Sequence, residues 1–241
     1  MAFKKSAIAA MLLGAAALPA GAAADDTDLV PGTFSANVGF FSDYFYRGLT
    51  QSDHEPALQG GFDWSHDSGF YAGAWGSNVD FDDGDQAHLE IDLYAGYAGE
   101  YQGVSYDVGI IYYTYPGAAS ALSYDFVEGA ISLGYDFGVA SAKVGFNYSP
   151  DFYAGSGNAY YYSAEVSVPL PAKFTATGHI GYQEIQKNAK YGVPDYTDWS
   201  IGLSREVEGF EVSLQYVDTD NSKSACGSCD PKVVLGATRS F

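Results

Sequence analysis

The stretch Val233-Val234-Leu235-Gly236-Ala237-Thr238-Arg239-Ser240-Phe241 closes the sequence and alternates between two unlike faces. Every second residue from Val233 to Phe241 is apolar apart from Arg239, whereas the residues between them are mostly small or polar. A period of two indicates a β-strand. A last strand that ends on an aromatic ring is typical of bacterial outer-membrane barrels, where the ring lies in an interfacial girdle. We therefore predict that Phe241 ends the closing strand of such a barrel and acts as its assembly signal.

The first 24 residues have the pattern of a secretory signal peptide. Lys4 and Lys5 form a positive start, the stretch 6–24 carries no charge, and Ala22-Ala23-Ala24 is a small-residue cleavage site. A membrane anchor is the alternative, but the stretch is rich in Ala and is followed by acids. We predict a signal peptide over residues 1–24 and one barrel domain over residues 25–241.

The composition describes an unusual protein for its length. Aromatic residues make up 16% of the chain, including 21 Tyr, and charged residues make up only 17%, below the usual ~25%. After residue 24 there is no apolar run near the ~20 residues that a membrane helix needs. The formal net charge of −19 argues against a nucleic-acid partner, whose phosphates require basic residues, and favours cationic solutes.

Alternating segments recur along the rest of the chain and predict an all-β fold. About twelve segments of roughly ten residues can be counted, a length that crosses a membrane at a tilt. The clearest lie at 58–65, 88–97, 104–112, 142–148, 160–168, 174–182, 210–216 and 233–241, with weaker ones near 35–46, 70–78, 127–135 and 199–204. We predict a transmembrane antiparallel β-barrel of about twelve strands.

The connections between these segments alternate in length. Short ones fall at 66–69, 99–103, 136–139, 169–172 and 205–209, and longer ones fall at 48–56, 80–87, 116–122, 150–158, 185–194 and 219–231. Short periplasmic turns and longer extracellular loops are the pattern of outer-membrane barrels. A secreted β-sandwich also has alternating strands, but it has no reason to alternate its loop lengths so regularly. The pattern therefore places the barrel in the outer membrane of a Gram-negative bacterium.

Aromatic residues concentrate at the two ends of the predicted strands, as expected for two girdles. The predicted loop-side girdle comprises Tyr44, Phe45, Tyr46, Tyr112, Tyr113, Tyr115 and Tyr160 to Tyr162. The predicted turn-side girdle comprises Trp64, Phe70, Tyr71, Tyr135 and Phe241.

Three runs of sequence carry a family resemblance. They are FSDYFYRGLTQS at 41–52, PALQGGFD at 56–63 and GFYAGAWGSNVD at 69–80. In these runs the chain resembles the TorF-type porin family of proteobacteria, formerly filed as a domain of unknown function. The resemblance covers essentially all of residues 25–241 and implies an outer-membrane barrel that forms a pore. It brings no catalytic residues and no known substrate.

The parity of the strands predicts which charged residues face the interior. The pore-lining candidates are Asp63, His88, Glu90, Asp92, Asp107, Glu128, Lys143, Glu165, His179, Asp198 and Glu211. Acids dominate this set, so an open lumen would concentrate cations. A barrel of this size can also be filled by its own side chains, and the acids would then pair with Lys143, Arg47 or Arg205 in a structural network. Both interpretations stay open from the sequence.

Two loops invite more specific interpretations. The acidic stretch 80–85 does not match the spacing of an EF-hand, and a solvated loop is a better explanation than a cation site. Cys226 and Cys229, in the last long loop, are predicted to form a disulfide in an exported protein. Two thiols are too few for a structural zinc site, and no His follows Cys229 as haem attachment would require. We expect no cofactor and no metal.

The sequence therefore predicts a porin-like channel for passive diffusion of small solutes, with a preference for cations. The alternatives are a non-conducting barrel that acts as an anchor or adhesin, and a hydrolase of the outer-membrane phospholipase type. The hydrolase is disfavoured because no Gly-x-Ser-x-Gly element and no lipid-facing His is apparent. The expected partners are outer-membrane lipid, small solutes including cations, and the periplasmic chaperones and barrel-assembly machinery of biogenesis.

Overall fold

The structure is a computed structural model that describes residues 31–82, 84, 86–222 and 226–241. The predicted signal peptide at residues 1–24 lies outside the described residues. No helix in the described part of the chain has the length and apolar character needed to cross a membrane.

Strands dominate the described chain. They are β1 (Thr33–Phe41), β2 (Phe45–Tyr46), β3 (Leu49–Thr50), β4 (Ala57–Ser65), β5 (Phe70–Asn78), β6 (Leu89–Tyr101), β7 (Val104–Thr114), β8 (Phe126–Asp136), β9 (Ser141–Ser149), β10 (Ala159–Leu170), β11 (Phe174–Ile185), β12 (Tyr196–Val207), β13 (Phe210–Thr219) and β14 (Lys232–Ser240). One short helix, α1 (Asn188–Tyr191), and single 3₁₀ turns at Ser120–Leu122, Tyr153–Gly155 and Pro171–Lys173 lie between strands.

Twelve of these strands form a closed antiparallel barrel, which confirms the predicted fold. β1 and β4 to β14 pair with their neighbours in chain order, and β14 returns to pair with β1. The closing register places Asn37 opposite Ser240 and Phe41 opposite Gly236. Beyond the last strand residue, the Phe241 N–H donates to the Ala36 carbonyl at 2.8 Å and the Ala36 N–H donates to the Phe241 carbonyl at 3.2 Å. The terminal residue is therefore part of the seam that closes the sheet.

The outer face of the barrel is apolar. Every barrel strand exposes at least one large apolar side chain, and Phe62 on β4 and Ile201 on β12 are 74% and 64% exposed. The inner face carries carboxylates, hydroxyls and tyrosines. This inversion of the usual order suits a barrel whose surroundings are lipid, and it excludes a soluble sandwich, which would bury these apolar faces together.

The structure corrects the predicted girdles. Trp64, Phe70, Tyr112, Tyr135 and Phe241 do lie on the outer face. Seven other members point inward or belong to the infolded first loop, namely Tyr44, Phe45, Tyr46, Tyr71, Tyr113, Tyr115 and Tyr161. Neighbours in a strand face opposite sides, so a run of adjacent tyrosines cannot all reach the interface.

Inward tyrosines lie flat against glycines of the adjacent strand. A Cβ added to Gly73 would come within 2.5 Å of the Tyr94 ring, and one added to Gly96 would come within 2.5 Å of Tyr71 Cζ and 2.7 Å of the Val108 carbonyl. The missing side chains thus make room for rings on the inner wall. Tyr71 and Tyr94 reach Asp107 and Asp63 from these positions.

This packing predicts a position-dependent cost of adding one methyl group. Gly96→Ala should lower the free energy of unfolding by ~1–3 kcal/mol, because the new Cβ overlaps the Tyr71 ring and a fixed carbonyl. The measurement is urea-induced unfolding of the barrel refolded into lipid vesicles. Gly178→Ala is the matched control, since nothing lies within 4 Å of a Cβ there, and it should stay within about 0.5 kcal/mol of wild type. Equal effects of the two variants would contradict the packing argument.

Candidate solute pathway and inner hairpin

The loop between β1 and β4 folds into the barrel and carries a small hairpin of its own. We call residues 45–50, formed by β2 and β3, the inner hairpin; Phe45 pairs with Thr50 and Tyr46 with Leu49. Its two turn residues both have positive φ, 49° at Arg47 and 77° at Gly48. Positive φ at both positions defines a type I′ turn, the tightest connection that suits the twist of two antiparallel strands.

The tip of the inner hairpin touches the barrel wall at β12 and β13. A Cβ added to Gly48 would come within 2.5 Å of Thr219 Cγ2 and 2.7 Å of Asp198 Cβ, at the loop-side ends of β13 and β12. Glycine is therefore needed at this position for both its positive φ and its small size. The hairpin starts between β1 and β4 and crosses the lumen.

Arg47 anchors the hairpin tip to the opposite wall. One guanidinium nitrogen lies 2.6 Å from a carboxylate oxygen of Glu128, and the other donates to Gln183 Oε1 at 2.7 Å. The guanidinium also lies 4.2 Å from the ring centre of Tyr161 and 4.6 Å from that of Tyr46. Burial works to lower the pKa of Arg47, but the charge of Glu128 outweighs it and holds the pKa above its ordinary value. The group is a buried cation between a carboxylate, an amide and two rings.

The residues that receive Arg47 are themselves held in place. Glu128 also accepts hydrogen bonds from Tyr113 Oη at 3.4 Å and Asn147 Nδ2 at 3.1 Å. Gln183 donates its amide protons to the Tyr160 and Glu184 carbonyls at 3.2 and 3.3 Å, which turns its oxygen towards Arg47.

A buried carboxylate organises the base of the loop. Asp43 accepts hydrogen bonds from Thr50 Oγ1 at 2.6 Å and Ser52 Oγ at 3.1 Å, and His54 Nδ1 lies 2.8 Å from its second oxygen. Tyr44, next to it, is buried against Trp75, with ring centres 5.5 Å apart. These contacts fix both flanks of the inner hairpin.

The other extracellular loops pack over the hairpin and form a cap. The Thr50 N–H donates to the Ser228 carbonyl at 3.0 Å, and Leu49 packs in one apolar cluster with Cys226 and Cys229, which are joined by a disulfide. On the other side, Phe81 contacts the rings of Tyr115, Tyr124 and Tyr153, so that three further loops meet there. These contacts join the first and last extracellular loops and three others into one packed layer.

A cavity of about 460 Å³ lies below the inner hairpin. Its wall runs from Tyr46 and Arg47 to Ser204 and Ser213, which face each other near the turn between β12 and β13. Hydroxyl groups from several strands line it, namely Ser163, Ser167, Thr175, Thr177, Ser200, Ser204, Ser213 and Thr238. The hydroxyl groups of such a wall can solvate polar solutes.

The predicted inward charges divide between this cavity and the filled parts of the lumen. Lys143, Glu165, His179, Asp198 and Glu211 line the cavity. Asp63 and Asp107 are bonded to the Tyr94 and Tyr71 hydroxyls, and Glu90, Asp92 and Glu128 are buried below the cap. His179 Nε2 lies 2.9 Å from Tyr161 Oη and 3.3 Å from a carboxylate oxygen of Asp198.

Two positional expectations need correction. His88 lies before β6 and is exposed, because the strand begins one residue later than the alternation suggested. Arg205 is exposed on the outer face, with its guanidinium 5.1 Å from the Phe174 ring, and pairs with none of the inward acids. Arg47 pairs with the inward acid Glu128, as one of the two interpretations of the sequence expected. The sequence alone did not bring out the role of Gln183.

The acidic loop at 80–85 is described only in part, and Cys226 and Cys229 are joined by a disulfide. The Asp82 N–H donates to Asp80 Oδ1 at 2.9 Å, a local turn bond, while Asp83 and Asp85 lie outside the described residues. Among the residues that the structure describes, no group of three or more His, Cys, Asp or Glu side chains is arranged to hold a metal ion.

The closed sheet, its apolar outer face and its polar lumen define an outer-membrane porin-like β-barrel. The solved structures agree. The KdgM porin in complex with disordered oligogalacturonate superimposes with a TM-score of 0.60 at 8% identity, covering 86% of this chain and 99% of that one. A chain from a study of the in-meso crystallization of membrane proteins gives a TM-score of 0.52 at 9% identity, covering 86% and 83%.

A more distant match is the COG4313 outer membrane channel from Pseudomonas putida F1, with a TM-score of 0.48, 11% identity and coverage of 91% and 100%. Identities this low establish the fold alone. The barrel is a protein of the Gram-negative outer membrane.

Residues 25–241 match the family described as "Bacterial protein of unknown function (Gcw_chp)", and the chain belongs to that family. No curated protein sequence matches it.

The Arg47–Glu128 pair predicts strong coupling between two distant parts of the chain. Glu128→Gln leaves a buried guanidinium without its counter-charge and should lower the free energy of unfolding by about 3–5 kcal/mol. Arg47→Gln should lower the free energy of unfolding by a similar amount, because it leaves the buried Glu128 carboxylate without a cation. The double variant should recover much of the loss, since neither charge remains. Urea unfolding in lipid vesicles measures all three, and additive losses would rule out the coupling.

Proposed function

We infer that the protein is a porin-like channel for passive diffusion of small solutes, with a preference for cations, and of the TorF type that its sequence resembles. The observation that carries this inference is the cavity of about 460 Å³, with hydroxyl and charged side chains on its wall, that reaches from the inner hairpin to the level of the turns. A barrel that served only as an anchor would need no hydrophilic space of this size.

The charges on the cavity wall support the preference for cations. Glu165, Asp198 and Glu211 line it, against Lys143 and the guanidinium of Arg47, which Glu128 engages. Lys143 faces Glu165 directly across the β9–β10 pair. A narrow path between low-dielectric walls amplifies a net negative lining and raises the local concentration of cations. The solutes would therefore differ in charge from oligogalacturonate, the acidic sugar chain with which the KdgM porin forms its complex.

Passage across the membrane requires the inner hairpin to move. The extracellular loops pack on the hairpin, and Arg47 at its tip bonds to Glu128 on β8 and Gln183 on β11. We infer that this arrangement is a closed or weakly conducting state. The compact cap also favours the second candidate, a non-conducting barrel that presents its loops to a partner, and conductance separates the two.

A hydrolase of the phospholipase type has less support. His66 Nδ1 lies 2.6 Å from Ser68 Oγ, but both belong to one exposed turn, and His54 is engaged by Asp43. Neither pair lies in a cleft that could bind a lipid and stabilise an oxyanion. Outer-membrane lipid, permeating solutes, chaperones and the assembly machinery remain the proposed partners.

Ion selectivity tests the proposed channel. In planar bilayers under a salt gradient, the wild-type reversal potential should have the sign of a cation-preferring pore. The variant Glu165→Gln/Glu211→Gln should reduce the cation-to-anion permeability ratio by roughly twofold or more, because both carboxylates line the cavity.

Glu184→Gln is the control for a lost carboxylate, since Glu184 is exposed on the outer face of β11. It should leave the ratio unchanged. Anion preference in the wild type would refute the role of the acidic lining, and the absence of any conductance would favour the anchor.

A further inference from the structure

Arg47 occupies a pocket that is built almost entirely by other parts of the chain. Its polar partners are Glu128 on β8 and Gln183 on β11, and the Tyr161 and Phe152 rings lie 4.2 and 5.9 Å from the guanidinium carbon. Only Tyr46 belongs to the inner hairpin itself. If the hairpin withdrew, four of the five contacts would remain on the barrel wall and the fourth extracellular loop.

The pocket is organised without Arg47. Glu128 is held by Tyr113 and Asn147, and Gln183 is held by two main-chain carbonyls. The Tyr161 hydroxyl lies within 3.2 Å of both carboxylate oxygens of Asp198. A site whose parts are fixed by their own neighbours loses little entropy on binding, which is the condition for a preorganised receptor.

The buried carboxylate of Glu128 demands a cation in the pocket. Glu128 is 1% exposed, and Glu90 and Asp92 are 1% and 0% exposed in the same half of the lumen. Glu90 accepts a hydrogen bond from Tyr44 Oη at 3.4 Å, and the Glu90 and Asp92 side chains, two residues apart on the inner face of β6, interact with each other. The cross-strand neighbours of Asp92 are Trp75 and Tyr113, neither of which is a cation. A vacated pocket would leave the buried Glu128 carboxylate without the charge of Arg47.

The shape of the contacts selects one class of cation. Two different nitrogens of one guanidinium reach two different acceptors, 2.6 Å away on Glu128 and 2.7 Å away on Gln183, while its plane lies near aromatic rings. A planar fork with several fixed donors makes these contacts together, whereas an ammonium group is a compact point charge that lacks this geometry. Aromatic faces add cation–π attraction.

We propose that this pocket is a binding site for solutes that carry a guanidinium group, and that Arg47 is a tethered occupant which such solutes displace. Displacement frees the tip of the inner hairpin and lets the lumen open, so an entering solute replaces the contacts that hold the path closed. As a step in permeation this rests on the proposed channel. As a binding site it stands independently, and the two can be tested separately.

The binding test uses ethylguanidinium as the probe and the full barrel in detergent. Arg47→Ala empties the pocket, and millimolar ethylguanidinium should raise its Tm by about 2–4 °C, because the probe restores the missing cation. Wild type should respond less, since Arg47 competes. Ethylurea, a neutral analogue of similar shape, should have no effect, and ethylammonium should have a weaker one.

Two further variants keep the test decisive. Arg47→Ala/Glu128→Gln removes the carboxylate as well and should lose the response to ethylguanidinium. If Arg47→Ala does not fold, refolding yield with and without the probe becomes the readout, and Arg47→Gln provides a second emptied pocket. Equal stabilisation with and without Glu128, or none in either emptied variant, would overturn the binding site.

Conductance then tests the link to permeation. Ethylguanidinium added on the extracellular side should increase the current through wild type. It should have a smaller effect on Arg47→Ala, whose hairpin already lacks the contacts with Glu128 and Gln183. Stabilisation without any conductance would refute the channel and leave the site standing. Conductance that ethylguanidinium leaves unchanged in wild type would refute displacement as the opening step.

Discussion

The hydrogen-bonded seam between the first and last strands is the constraint on which the rest of the structure depends. In lipid each backbone N–H and C=O needs a partner, so an open edge is excluded and the sheet must close. β14 meets β1 through the register of Asn37 with Ser240 and the bonds between Phe241 and Ala36. Closure then fixes the parity of every strand, with apolar side chains outside and polar ones inside.

That inversion creates a second problem, the filling of a polar interior. On one side, tyrosines such as Tyr71 and Tyr94 lie on glycines and donate hydrogen bonds to acids. On the other side a hydroxyl-lined cavity remains. The first extracellular loop fills the upper half by inserting Arg47, whose guanidinium pairs with the buried carboxylate of Glu128. The acids of this barrel thus have two roles, structural below the cap and accessible along the cavity.

Much of the fold could be predicted from the sequence because alternation and closure are local rules applied repeatedly. Twelve strands, their parity and the unequal connections all follow from them. The inward position of the 42–56 loop could not be predicted, because alternation does not say whether a loop turns into the lumen or out to solvent. For that reason Tyr44 and Tyr46, which alternation assigns to the outer girdle, lie buried in the infolded loop instead. The residue in this loop that most strongly indicates a tight turn is Gly48, because positive φ at that position requires glycine.

The energetics of the Arg47–Glu128 pair explain how a buried contact can serve as a displaceable latch. Removing one partner strongly lowers the free energy of unfolding, because a buried charge is left without its counter-charge. The intact pair contributes little net stability, since the desolvation of both ions offsets most of their attraction. Exchanging Arg47 for a free guanidinium keeps the same contacts and avoids the unpaired state. The exchange therefore needs no tight affinity, and a weakly bound solute present in excess suffices to release the hairpin and can itself leave again.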